Sequence, residues 1–158
     1  MEKNSRFLIS NGVLVKYIGD EESVTIPSGV NEIGESAFEN NYTLKSVTVC
    51  GGVEKIGDGA FAYCRSLREV KLPATLREIG ECAFSWCKNL GKIVIPLGVK
   101  KIRARAFEQL PSYNGEKRLI ILCEAAKPLF GLPKGWSRAW TGYASKRDIQ
   151  VVWDCIIY

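Results

Sequence analysis

The sequence predicts an α/β, β-rich solenoid of short parallel strands, with an N-terminal hairpin cap and an aromatic C-terminal cap. Three observations predict it. One set of apolar positions returns every 23 residues through four consecutive segments, and a fixed period of that length marks a repeat architecture. Each segment runs through the same order of alternating apolar residues, a proline, a glycine and an Ala-Phe pair. The two ends depart from that order, as the ends of an open stack must.

Residues 1–23 are expected to form the first cap. Phe7-Leu8-Ile9 and Val13-Leu14-Val15 flank Ser10-Asn11-Gly12, and Asn-Gly between two short apolar runs is a strong hairpin signal. Residues 24–113 hold the four repeats, which begin at Val24, Val47, Val70 and Ile93. The column of Ile26, Val49, Leu72 and Ile95 follows, then Val30, Val53, Leu76 and Val99, then Ile33, Ile56, Ile79 and Ile102. Ala37, Ala60, Ala83 and Ala106 precede Phe38, Phe61, Phe84 and Phe107, and Leu44, Leu67 and Leu90 close their units.

Within a unit, Val47 and Val49 alternate with Ser46 and Thr48, the period-2 sign of a strand with one buried face. Pro27, Pro73 and Pro96 end that strand, because proline cannot donate to a sheet ladder. Val53 and Ile56 belong to a second extended segment on the opposite side. Gly34, Gly57 and Gly80 are expected to supply a positive-φ turn, with Arg103 in their place in the fourth unit. A short Ala-Phe turn of helix follows. One such unit cannot cover its own apolar face, so neighbouring units must stack, giving one sheet of short parallel strands over a shared core.

Residues 114–158 are expected to close the other end. Arg118 to Cys123 reads as a strand, a loop with Pro128, Gly131, Pro133 and Gly135 follows, and Ile149 to Ile157 reads as a final strand. Trp136, Trp140 and Trp153 fall here. They either plug the apolar face of the last repeat or form an aromatic platform for a sugar or peptide.

The pattern Leu44-x-x-Val47-x-Val49 and its copy Leu67-x-x-Val70-x-Leu72, with Ile-Gly-x-x-Ala-Phe at Ile33–Phe38, Ile56–Phe61 and Ile79–Phe84, resembles the leucine-rich repeat of the BspA-like type. The tail also resembles the segment that closes some proteins of that family, with extra residues around Lys127 to Leu132. The resemblance implies a right-handed leucine-rich-repeat solenoid that serves as a binding scaffold. It also implies a bacterial or protozoan setting in which many relatives stand at the cell surface.

Composition narrows the chemistry. The chain is 46% hydrophobic and 25% charged, as a folded domain is. Histidine is absent, which removes Ser-His, Cys-His and His-metal arrangements and most general-base routes near neutral pH. Gly57-Asp58-Gly59 lacks a third glycine, no GxxxxGK phosphate loop occurs, and the carboxylates alternate with lysines along the repeats rather than pairing. No enzyme activity, cofactor or metal is expected. Cys64 and Cys87 share a column about 5 Å apart and read as buried, reduced thiols. Cys50 takes the proline column, Cys82 the column of Ser36, Gly59 and Arg105, and Cys123 and Cys155 the cap, so no four-ligand zinc set assembles. Met1 to Arg6 are polar and the longest apolar run is Leu119–Cys123, so neither a secretory signal nor a membrane span is read. With Met1 as the natural start, the expected location is cytoplasmic, and cell-surface display would need an export signal beyond this sequence.

Binding surfaces remain. The outward positions of the strands run Ser23, Thr25, Ser46, Thr48, Glu69, Lys71, Lys92 and Val94, and changing residues over constant buried columns is how repeat proteins make recognition faces. The expected partner is a protein or peptide held by Ser46, Thr48, Glu69, Lys71, Lys92 and Val94. The alternative is an anionic polymer, nucleic acid or acidic glycan, because residues 1–91 carry a net charge of −2 and residues 92–158 a net of +7. That reading uses Lys92, Lys100, Lys101, Arg103 and Arg105 with Trp136 and Trp140. The ladder Asn31-Glu32, Glu54-Lys55, Arg77-Glu78, Lys100-Lys101 is expected to pair opposite signs between neighbours.

Overall fold

The computed structural model describes residues 6–109, 119–125, 132–142 and 149–153. Strand β1 (Phe7–Ser10) turns back into β2 (Val13–Tyr17) as an antiparallel pair with an irregularity between Leu8 and Ile9. Asn11 (φ 49°) and Gly12 (φ 78°) make the turn, the two successive positive φ values that a tight hairpin demands. The Asn-Gly reading therefore holds.

Each repeat contributes two short strands. Those before the proline position are β3 (Ser23–Thr25), β5 (Ser46–Thr48), β7 (Glu69–Lys71) and β9 (Lys92–Ile95). Those after it are β4 (Glu32–Ile33), β6 (Lys55–Ile56), β8 (Glu78–Ile79) and β10 (Lys101–Ile102). The chain continues with β11 (Leu119–Cys123) and β12 (Ile149–Val152). Of the expected strand from Arg118 to Cys123, Leu119–Cys123 is a strand and Arg118 lies outside the described residues. The expected strand from Ile149 is described to Val152, and the stretch 154–157, like Leu110, Pro128, Gly131 and Cys155, lies outside the described residues.

The strands do not form the single sheet expected. A six-stranded ladder of order β1-β2-β4-β6-β8-β10 runs along one side, while β3-β5-β7 and β12-β11-β9 lie along the other. The reason is that each unit has two extended segments separated by a turn, and each stacks on its own copies one repeat away. Register keeps the 23-residue step: Val24 pairs with Val47 and Val47 with Val70, as Ile33 pairs with Ile56 and Ile56 with Ile79. The ladder on the second side breaks. Val49 donates to Lys71 O at 2.9 Å and Arg68 to Lys45 O at 2.8 Å, but the equivalent bonds from Leu72 to Val94 and from Gly91 to Arg68 are not made; β9 lies against β7 without them and pairs with β11.

The expected turn of helix is absent from the described residues; the Ala-Phe segments are turns. Positive φ values at Ser36, Gly59, Cys82 and Arg105, and again at Asn40, Tyr63 and Trp86, leave no run of right-handed residues long enough for a helix. Gly34, Gly57 and Gly80 also play a different part from the one expected, since none has positive φ. They permit close approach between rungs. A Cβ on Gly57 would stand 2.8 Å from Glu35 N and Gly34 C, and one on Gly80 2.6 Å from Asp58 N and Gly57 C, closer than side-chain carbons come to backbone.

The apolar columns fill the space between the two sides. Phe38, Phe61, Phe84 and Phe107 are fully buried and stack with ring centroids 4.8–5.4 Å apart. The stack runs on past the repeats. Tyr17 of the hairpin lies 4.9 Å from Phe38 at one end, and Trp140 meets Phe107 edge-on at 5.8 Å at the other. Leu14 pairs with Ile33, and Ile102 bridges to Trp136, so both end segments add a partial rung to the core. Trp136 and Trp140 are 7% and 4% exposed, which is the plugging arrangement and leaves neither ring as a surface platform.

Candidate functional site

Three surfaces carry the side chains able to meet a partner. The first is the outward face of β3, β5 and β7. Backbone pairing aligns Ser23, Ser46 and Glu69 in one row and Thr25, Thr48 and Lys71 in the next. Ser23 and Ser46 hydroxyls share a hydrogen bond of 2.7 Å, and the Lys71 ammonium lies 3.6 Å from the Glu69 carboxylate. Lys92 and Val94 follow on β9, which lies against β7 without backbone pairing and pairs through them with Ile120 and Leu122 of β11.

The second surface is the basic side. Lys100 and Arg105 are exposed. Lys101 and Arg103 converge on Glu78 at 3.2 and 2.9 Å. Burial pushes the Glu78 carboxyl up, but its hydrogen bonds from Arg103 and Lys101 outweigh this and hold it below the usual carboxylate range. The same bond raises Arg103. Lys101 and Arg103, both expected to attract an anion, are thus already engaged. A shallow, open depression lies beside them, lined by Glu81, Lys101, Arg103, Trp136 and Ser137. The expected charge ladder forms ion pairs at Glu32 with Lys55 and at Glu78 with Lys101: Lys55 donates to Glu32 at 2.8 Å, which with further carboxylates raises the Lys55 pKa against its partial desolvation.

The third surface was not read from the sequence. It follows the outer edge of the turns after the Phe column, where the loops of successive repeats lie side by side. The Arg65 guanidinium stands 5.7 Å from the centre of the Tyr42 ring, and Tyr63 stacks on Trp86 at 5.6 Å with 29° between ring planes. Tyr42 and Arg65 are exposed, Tyr63 and Trp86 half-buried, and Lys88 is exposed beside them in the column of Tyr42 and Arg65. Tyr63 and Trp86 have φ of 61° and 64°. Left-handed backbone costs a bulky residue on the order of 1–3 kcal/mol, and Asn40, at 61° in the same column, fits it with less strain. A ring stack returns about 0.5–1.5 kcal/mol, less than two such residues together cost. The signal was in the repeat alignment, in the columns of Asn40, Tyr63, Trp86 and of Tyr42, Arg65, Lys88, but these columns are not uniformly apolar.

The cysteines offer no chemistry at these surfaces. Cys64 and Cys87 are buried, and their thiols donate to Phe38 O and Phe61 O at 3.1 and 3.2 Å. Burial pushes the Cys64 thiol up to about 12 and raises Cys87 well above its ordinary value, so neither is a nucleophile at neutral pH. Cys50, Cys64, Cys82 and Cys87 are free thiols. No group of three or more metal-ligating side chains occurs among the described residues, and no described helix is long and apolar enough to cross a membrane.

The model of the BspA type leucine rich repeat region matches residues 16–115, in six copies. The chain belongs to the BspA-type leucine-rich repeat family. This BspA-type chain is similar in structure to a leucine rich cell surface protein of Faecalibacterium prausnitzii, with a TM-score of 0.60 and 27% identity over 84% of the chain and 38% of that protein. It is similar to the pneumococcal vaccine antigen PcpA, with a TM-score of 0.64 and 28% identity over 76% of the chain and 32% of PcpA. A leucine-rich repeat protein of Bacteroides capillosus is 32% identical over 63% of the chain and 88% of its own length, with a TM-score of 0.55. The chain therefore spans about two fifths of the first of these and a third of the second. No curated protein matches it.

Proposed function

We propose that this BspA-type chain is a non-enzymatic scaffold that holds a protein or peptide on the outward face of β3, β5 and β7, flanked by Lys92 and Val94. The observation that supports it is the contrast between inward and outward positions of the same strands. Val24, Val47 and Val70 are buried and constant, while the residues beside them change from Ser23 and Thr25 through Ser46 and Thr48 to Glu69 and Lys71. Packing alone fixes the first set; the second is free to follow a partner. The description of the Faecalibacterium relative as a cell surface protein makes an extracellular partner the first to test.

The test is affinity capture from culture and host extracts with wild-type protein beside a folded Lys71→Glu, Lys92→Glu variant. The captured partner is then purified and its affinity measured for both. Loss of affinity in the variant supports the strand face. Equal affinity places recognition elsewhere. Capture of nucleic acid or glycan that moderate salt removes favours the basic side.

A further inference from the structure

We propose that the turn edge formed by Tyr42, Tyr63, Arg65, Trp86 and Lys88 is a second recognition surface, and that it takes an acidic polypeptide segment. The inference rests on the scaffold reading and adds a face to it. Residue type is the first argument. Tyr, Trp and Arg dominate the energetics of protein interfaces, because they bury much area and carry a polar tip. Here four of them cluster at an accessible edge instead of in the core.

Backbone conformation is the second argument. Tyr63 and Trp86 hold aromatic rings at left-handed positions in two successive repeats, where Asn40 shows that a small polar residue serves the turn. The rings are thus an addition that the fold does not require. Strained positions of this kind gather where a structure meets a ligand.

Charge and ring geometry select the partner. Arg65 and Lys88 make no ion pair with a carboxylate among the described residues, whereas Lys45, Lys55, Lys71, Lys101 and Arg103 each do. A guanidinium held over an aromatic ring keeps its donors for a carboxylate. Tyr63 and Trp86 lie against each other, and Arg65 takes one face of Tyr42. Each of these rings therefore has one face already taken, and beside them stand two cations, Arg65 and Lys88, with the phenol O–H and indole N–H as further donors. Two cations without a carboxylate partner beside apolar rings with hydrogen-bonding tips suit a polypeptide carrying Asp or Glu.

Poly-L-glutamate serves as the probe, with heparin and an oligo-dT strand as comparators; affinities of every protein are measured by isothermal titration calorimetry, and the contact is located on the wild type by the indole N–H resonance of Trp86 in two-dimensional NMR. Polyglutamate should shift that resonance. An Arg65→Glu, Lys88→Glu variant should weaken the affinity about tenfold or more, and a Tyr63→Asn, Trp86→Asn variant, whose new residues suit left-handed backbone, should stay folded and lose the binding too. No shift at Trp86, or affinity unchanged in both edge variants, overturns the proposal. A shift produced by heparin or oligo-dT and not by polyglutamate overturns the polypeptide occupant. Binding lost only in Lys71→Glu, Lys92→Glu overturns this edge and leaves the scaffold reading standing, and binding by none of the three face variants' parent protein overturns the edge while the capture experiment decides the strand face separately.

Discussion

The two sides of the solenoid are built from the same repeats and are not equally continuous. On one side, β2, β4, β6, β8 and β10 form an unbroken parallel run, and Gly34, Gly57, Gly80 and Arg103 each donate to the rung before, at 2.7–3.0 Å. On the other, pairing stops between β7 and β9. At Gly34, Gly57 and Gly80 the close approach uses the absence of a Cβ, while Arg103 makes the same bond at the slightly longer 3.0 Å. The second side has proline or Cys50 beside each strand and outward positions that vary. A repeat can therefore hold its neighbour by backbone bonds along one seam while on the opposite seam two strands pack without a ladder and the surface changes.

Removing the shared core should have the largest effect. Phe61→Ala deletes a fully buried ring stacked between Phe38 and Phe84 and should destabilise by about 3–5 kcal/mol, measured by denaturant unfolding. Phe107→Ala should lose a similar amount, because Trp140 covers that ring as the next repeat would. A small loss at Phe107 would mean that the last rung is loose.

Glycine substitutions separate the two seams more finely. Gly57→Ala should cost about 1–3 kcal/mol, since its Cβ meets backbone of the previous rung. Gly91→Ala, at the open seam, meets nothing within 4 Å and should leave stability unchanged or raise it by about 0.4–1 kcal/mol. Similar costs at both would erase the distinction.

The buried thiols give a pH signature. Cys64 and Cys87 are raised in the folded chain above their ordinary value of 9.0. The unfolded chain therefore releases these protons first, and stability is fully present below pH 9.0 and falls as pH rises toward the folded values. Cys64→Ala should flatten that fall in unfolding measured from pH 8 to 11 (roughly the span between neutral and the raised thiol). The smallest effect is expected at the surface: Tyr63→Asn gives up one ring stack and relieves a left-handed aromatic, and should change stability by less than about 1 kcal/mol. A large loss would show that the turn edge holds the fold.

Much of this was legible in the sequence. The 23-residue spacing placed the Val, Ile and Phe columns, because burial demands the same residue type at the same point of every rung. The outer rungs were hidden by broken spacing, since Tyr17 stands 21 residues before Phe38 and Trp140 33 residues after Phe107. The glycine column was visible and its reason was not: φ is a property of one residue, whereas the clash at Gly57 involves backbone a whole repeat earlier. The edge of Tyr63 and Trp86 escaped because its column mixes Asn with aromatics. Pairing between strands separates the Lys71 row from Lys92, a break that no periodicity contains.

The most direct test of this two-seam account is residue-resolved amide hydrogen exchange on the folded chain. Gly80 and Arg103, on the continuous ladder, and Val49 and Arg68, on the paired part of the other side, should be protected, while Leu72 and Gly91 should exchange much faster. Equal protection of Leu72 and Val49 would mean that β7 and β9 are joined like the other rungs, and would contradict the account.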